Sequence, residues 1–222
     1  FNDHYKIFEK HCLEQAKSHI ADDTNDNFTE SKIKMAVFDV IKYVIRDRTI
    51  HEGLRVDNRS MTDIRPLFTQ VDTAPRVHGS GLFRRGDTQV LSTVTLWSPG
   101  DVLLLDSMEE NRIEQRYFHH YNFPPFSTGE AQAIRWLSRR ETGHGKLAEK
   151  AIEHVLPNKL DFPYTIRVVS DCLASGGSTS MGATCGSTLS LLAAGVPLIA
   201  PVSGVAMGLM TEQDESWHIT NY

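Results

Sequence analysis

All 15 glycines and all 9 prolines of this 222-residue chain lie after residue 52. Both residues interrupt regular helix, glycine by its backbone freedom and proline by its missing N–H. The N-terminal stretch can therefore run as helix, whereas the remainder must fold through frequent turns. In the first stretch Tyr5, Phe8, Cys12, Ala16 and Ile20 recur every three or four residues, the apolar stripe of a helix. The polar run from Asp22 to Asn27 breaks it. Thr29 is suited to cap a second helix, whose stripe is Ile33, Val37, Ile41 and Val44. The chain thus divides into an all-helical hairpin, residues 1–51, and an α/β domain, residues 52–222.

The second part alternates strand and helix signals. Gly81–Arg85 and Gln89–Trp97 read as neighbouring strands joined by the turn dipeptide Gly86-Asp87. Tyr117–Phe123 reads as an aromatic strand ended by Pro124-Pro125. A helix beginning at Lys146 carries Leu147, Ala148, Ala151, Ile152, Val155 and Leu156 on its apolar face and is closed by Pro157. Tyr164–Val169 is a β-branched strand, and Thr179–Ala194 is a helix of small residues stopped by Gly195 and Pro197. Gly204–Met210 and Trp217–Asn221 are closing strands. A last strand with no partner after it leaves backbone groups unsatisfied, so we expect a piece of a longer chain.

Charge excludes one class of function. Lys+Arg 23 against Asp+Glu 28 gives a net charge of −5, so bulk charge does not hold this chain to nucleic acid; such binding must be local. No apolar run approaches the roughly 18 residues of a membrane span. Cys12, Cys172 and Cys185 lack C-x-x-C spacing, which fits reduced thiols in a cytosol-like compartment.

Three stretches carry chemistry. Between Ala131 and Lys150, five Lys/Arg and two Glu give a local balance of +3. Ser138–Gly145 reads there as a turn entering the helix at Lys146. Arg139 and Arg140 offer planar forks for phosphate oxygens, with His144 beside them, while Gly143 and Gly145 allow close backbone approach. In the second stretch, Gly176-Gly177 precedes the hydroxyls of Ser178, Thr179 and Ser180 at a helix start, a set of neutral donors for an anion. No Gly-Lys-Ser/Thr follows, so it is not a Walker loop. A solvated turn and a flexible capped loop are the plain alternatives, but two anion-suited elements in one domain argue against coincidence. In the third stretch, Arg76, His78, Arg84 and Arg85 flank the Gly86 hairpin, with Arg55, Arg59 and Arg65 upstream. On a sheet edge beside Phe83 these could track a nucleic-acid backbone; the plain alternative is an exposed strand face, with turn chemistry accounting for the glycines.

Other chemistries fail on spacing. Ser31-Lys-Ile-Lys34 lacks the partner motifs of an S-x-x-K enzyme, and no G-x-S-x-G elbow occurs. His119 and His120 fall on opposite faces of a strand, and no H-E-x-x-H or zinc spacing is present.

In order along the chain stand His78-Gly-Ser-Gly-Leu-Phe-Arg-Arg-Gly-Asp-Thr-Gln89, His120-Tyr-Asn-Phe-Pro-Pro125, Arg139-Arg-Glu-Thr-Gly-His-Gly145, Phe162-Pro-Tyr-Thr-Ile-Arg167, Ser178-Thr-Ser-Met181, Ala194-Gly-Val-Pro197 and Val205-Ala-Met-Gly-Leu209. Together these blocks resemble the second RNase PH-type core of the polynucleotide phosphorylase family, and the helical hairpin resembles that family's linker domain. The resemblance implies an α/β (α+β) fold of RNase PH type, like the second domain of ribosomal protein S5. It also implies phosphate-dependent 3′-to-5′ degradation of single-stranded RNA with release of nucleoside diphosphates. Phosphate, the co-substrate, would sit among Arg139, Arg140, His144, Ser178, Thr179 and Ser180, the catalytic candidates; Arg76, His78, Arg84 and Arg85 are the RNA-binding candidates.

Thr179 stands where the family has serine and keeps a hydroxyl. Asn58 stands where the family has glycine, and asparagine tolerates the left-handed backbone best among the other residues. The family's metal-binding aspartates fall past Tyr222. The resemblance therefore implies Mg2+ or Mn2+ in the complete enzyme, no metal ligand in this chain, and little turnover by this chain alone. It further implies a homotrimer, association with an RNA-degradation complex, no membrane, and a cytoplasmic location, or a mitochondrial or plastid one after loss of a presequence. Two rivals share the fold: a non-catalytic ring subunit that binds RNA or only assembles, and a tRNA 3′-end-trimming RNase PH. Retention of Arg139, Arg140 and the 178–180 hydroxyls argues against the first, the helical lead-in against the second.

Overall fold

The computed structural model describes residues 2–20, 30–105, 113–133, 138–211 and 217–221. Thr29, the 22–27 break and Arg135 lie outside the described residues. The chain forms two compact units, residues 1–63 with 207–221 and residues 64–206, so the unit boundary falls after Asp63.

In the first unit, helix α1 (Asn2–Ile20) and helix α2 (Glu30–Glu52) bring their apolar stripes together. Phe8, Cys12 and Ala16 face Ile33, Ala36 and Val37 across an apolar cavity of about 450 Å³. Val44, expected in the stripe, is 54% exposed, whereas Ile45 is half-buried; the buried face continues one residue further on. After α2, Asn58 takes the left-handed φ of 62°, and its side chain accepts from Arg48 Nη2 at 2.8 Å. Arg55 is buried and donates to the Asp63 carbonyl, and Arg59 pairs with Asp57 at 2.7 Å. These upstream arginines are tied into a local turn.

The second unit is built on strands β1 (Leu67–Val71), β2 (Gly79–Arg85), β3 (Thr88–Trp97), β4 (Leu103–Leu105), β5 (Ile113–Gln115), β6 (Tyr117–Asn122) and β7 (Thr165–Ala174), with helices α3 (Arg139–Glu153) and α4 (Thr179–Ala193). A five-stranded sheet runs in the order β1-β2-β3-β7-β6. Its neighbours are antiparallel except β6 and β7, which are parallel because α3 lies in the connection between them. β4 and β5 pair with each other apart from it. β1 covers β2, so β2 is an interior strand and not the sheet edge expected for it. In the first unit, β8 (Met207–Thr211) and β9 (Trp217–Asn221) pair antiparallel, which gives the last strand the partner the sequence reading did not find for it.

The helix expected from Lys146 begins at Arg139 instead. Ser138 Oγ accepts from Glu141 N at 3.2 Å while Glu141 Oε2 accepts from Ser138 N at 2.7 Å, a reciprocal capping box that nucleates the first turn. The glycines at 143 and 145 therefore lie inside a helix. Gly145 has a packing reason: a Cβ there would stand 3.1 Å from the His119 carbonyl oxygen and 3.2 Å from Tyr121 Cβ, so α3 lies hard against β6.

α4 approaches β2 and β3 equally closely. A Cβ on Gly79 would stand 2.3 Å from the Ser190 carbonyl oxygen, and one on Gly81 would stand 2.7 Å from Leu189 Cβ. Both glycines serve close approach, and at Gly79 this replaces the turn chemistry expected for it; that role falls to Gly86, at φ 57°. α4 buries hydroxyls as well as apolar groups, and returns them to its own carbonyls: Thr184 to Ser180 at 3.1 Å and Ser187 to Ala183 at 2.7 Å.

One core cluster gathers Val94, Tyr117, Ile152, Ile166, Val168 and Leu191, and a second gathers Val90, Tyr121, Ala148, Cys172 and Ala183. Between them lies a polar seam. His119, 6% exposed, bonds Ser170 Oγ through Nε2 at 2.9 Å, and Ser170 Oγ meets Ser92 Oγ at 2.7 Å. His120 points to the other face, where it accepts from Arg167 Nε at 3.1 Å.

Burial, with the neighbouring His120 adding to it, pushes His119 down to about 4. The folded state then refuses a proton that the unfolded chain accepts near pH 6.5. His119 therefore contributes stability in full above pH 6.5 that is lost as pH falls toward 4, about 3 kcal/mol in all. Urea melts of His119→Gln should show a correspondingly flatter stability between pH 7 and 4 than the wild type. Along α3, Gly143→Ala meets no atom within 4 Å and should raise stability by about 0.5–1 kcal/mol from helix propensity. Gly145→Ala should lower it, because the His119 carbonyl cannot retreat; equal signs for the pair in thermal melts would refute this packing.

Candidate anion-binding site

The N-terminal ends of α3 and α4 meet at one cavity of about 190 Å³, lined by Tyr121, Phe123, Ser138, Arg140, Glu141, His144 and Thr179. The two ends differ. That of α3 is capped by Ser138 and carries the Glu141 carboxylate in its first turn. That of α4 has no side-chain cap and no acidic residue in its first turn. Its N-cap, Ser178, holds a left-handed φ of 50° directly after Gly177 at φ 102°, a conformation that costs a non-glycine residue about 1 kcal/mol. Unpaired N–H groups and the positive end of the helix dipole make such a terminus suited to an anion.

Arg140 supplies the cation. Its Nε lies 3.4 Å from His144 Nε2, and its guanidinium carbon lies 5.8 Å from the centre of the Phe123 ring. His144 stacks on Tyr121 at 5.4 Å between ring centres, 18° from parallel. Burial first, then the Arg140 cation, holds His144 below its ordinary range, so the ring is neutral near pH 7. Because Nε2 faces an obligate donor, the ring proton belongs on Nδ1. Tyr121 closes the site from below, its hydroxyl 2.6 Å from Thr179 Oγ1. Glu141 ties the frame together, since Oε1 accepts from Phe123 N at 2.9 Å while Oε2 serves the cap. Its carboxyl is pushed up by partial burial, but the hydrogen bonds from Ser138 and Phe123 outweigh this and hold it below the usual range.

Arg140, His144 and Thr179, all sequence candidates, thus meet in one cavity. Arg139 is exposed and Ser178 half-buried, and Ser180 is buried; none of these lines the cavity. The third stretch is not brought together. Arg76 and His78 precede β2 and Arg84 and Arg85 end it, roughly 20 Å apart at about 3.3 Å per residue. His78 Nδ1 accepts from Leu96 N at 2.9 Å, and Arg84, exposed, donates to the Gly86 carbonyl. Arg85 is buried, donating to the Gly177 carbonyl at 3.0 Å, where Thr88 Oγ1 also donates at 2.8 Å. It braces the hydroxyl loop from beneath. Tyr121, Phe123, Ser138 and Glu141 are additions to the sequence candidates; the Ser138-x-x-Glu141 spacing is the signal that could have found two of them.

An α/β core with an anion cavity at two adjoining helix ends is the class that fold and site define. The model of the RNase PH family, described as 3′ exoribonuclease family, domain 1, matches residues 63–197, and the chain belongs to this family. The chain is 50% identical over 205 residues to the polyribonucleotide nucleotidyltransferase of Natranaerobius thermophilus, covering 92% of this chain and 28% of that protein. It is 56% identical over 178 residues to that of Trichormus variabilis, covering 80% of this chain and 25% of that protein. It therefore spans about a quarter of the length of these relatives. The crystal structure of rice (Oryza sativa) Rrp46 shares the fold, with a TM-score of 0.55 at 20% identity, covering 75% of this chain and 73% of that one.

Glu141→Ala removes the carboxylate half of the capping box and the tie to Phe123 and should lower stability by about 1–2 kcal/mol. Glu141→Gln, which keeps one acceptor oxygen, should recover part of that in denaturant melts; no difference between the two would show that the carboxylate is not the clamp described.

Proposed function

We propose that this chain carries the phosphate-binding part of a polyribonucleotide nucleotidyltransferase. One observation supports the reading beside the kinship: Arg140 of α3 and Thr179 at the uncapped end of α4 wall the same cavity. Orthophosphate seated there presents an oxygen to the phosphorus of the 3′-terminal diester of single-stranded RNA. A bond forms from that oxygen to phosphorus, the bond from phosphorus to the preceding ribose 3′-oxygen breaks, and a proton of the phosphate passes to that oxygen. The products are a nucleoside diphosphate and an RNA one residue shorter.

The chain's own groups act by position and charge. Arg140 neutralises the nucleophile and orients it, Thr179 and the first N–H groups of α4 donate to its oxygens, and His144, accepting from Arg140 Nε through Nε2, holds the guanidinium at the cavity. Phe123 holds the guanidinium in place from one side. Among the described residues no group of three or more His, Cys, Asp or Glu could hold a metal ion. The divalent ion that the family implies finds no fit among them, and no step is assigned to it. Exposed Arg84 remains a candidate for RNA contact, whereas Arg85 supports the loop.

Nucleotide release from poly(A) by the full-length protein should require phosphate. Arg140→Gln should raise the phosphate concentration needed by about 10- to 100-fold, the loss of one charge-assisted contact. Arg139→Gln, outside the cavity, should change it far less. Release that is indifferent to phosphate would mark a hydrolase and end this reading.

A further inference from the structure

Tyr121 touches both halves of the site. It stands one residue from the end of β6, 3% exposed, with its ring stacked on His144 of α3 and its hydroxyl on Thr179 of α4. Gly145 lets α3 settle onto it, since any Cβ there would press on Tyr121 Cβ at 3.2 Å. A tyrosine so deeply placed needs a partner for its hydroxyl, and Thr179 Oγ1 at 2.6 Å is that partner.

The direction of this bond has a consequence for the cavity. A phenol is the stronger donor and an aliphatic hydroxyl the better acceptor, so the proton between them belongs to Tyr121. Burial, with the nearby Cys172 thiol adding to it, keeps the phenol protonated throughout the working pH range. Thr179 then has one lone pair occupied from below. Its own proton, for which the neighbouring Cys172 sulfur is only a weak acceptor, is available to the cavity that its side chain lines. Donation in series also strengthens the outer member of the chain.

We propose that Tyr121 is a positioning residue which orients the Thr179 hydroxyl as a donor to bound phosphate. The inference rests on the phosphate reading given above. In the wild-type arrangement Thr179 presents a hydrogen to the anion; without the phenol, its hydroxyl is free to turn and to offer a lone pair instead, which would repel it.

Full-length wild type, Tyr121→Phe, Thr179→Val and the double variant are compared for the phosphate and RNA concentrations that half-saturate nucleotide release. Tyr121→Phe keeps the ring and its stack, so half-saturation by phosphate should rise about fivefold, the worth of one neutral hydrogen bond, while that for RNA stays put. In the Thr179→Val background the Tyr121→Phe change should add nothing, because the two act as one unit. Effects that multiply in the double variant, or a phosphate requirement unchanged in Tyr121→Phe, overturn the proposal. A wild type indifferent to phosphate fails the underlying reading and this one with it; a phosphate-dependent wild type with an indifferent Tyr121→Phe fails this one alone. If Tyr121→Phe melts well below the wild type, Thr179→Ser and Thr179→Val decide, since only the hydroxyl-bearing variant should keep the wild-type phosphate requirement, and equal values for both overturn the proposal.

Discussion

The approach of two helices to one face of the sheet, so close at three glycine positions that a Cβ would not fit, governs everything else in the second unit. Gly79 and Gly81 under α4, and Gly145 against β6, hold the backbones close. Because the helices sit so near the sheet, their first turns converge over the end of β6, and a small cavity forms from residues distant in sequence. Looser packing would part Arg140 from Thr179.

Much of the fold could be read from residue order. Helical periodicity placed α1 and α2, and alternating apolar residues with Gly86-Asp87 placed β2 and β3. The start of α3 was misread because Gly143 and Gly145 suggest a turn to anyone weighing backbone freedom alone. Gly145 serves a packing contact 26 residues away in sequence, at His119, which no local pattern encodes. β1, wholly exposed and short, carries too little alternation to announce itself.

The site was legible in part for a related reason. Residue types suited to anions mark themselves by chemistry, so Arg140, His144 and Thr179 stood out. Arg85 has the same chemistry and a different role, holding the Gly177 carbonyl from within. Only tertiary placement separates an arginine that awaits an anion from one already committed to the backbone. Tyr121 and Phe123 sit in a strand that looks like ordinary core, and their importance follows from the helices laid across them.

One detail of the helix ends bears on how this arrangement is tolerated at all. Two segments whose leading ends carry like partial charge repel when pushed together. Glu141 answers that repulsion on one side only: both oxygens of its carboxylate are taken by backbone donors, so its charge is tied to the pole of α3. Electrostatic demand is thus concentrated on α4 and Arg140. The fold sets up an asymmetric field, with a single direction from which a negatively charged guest is welcomed.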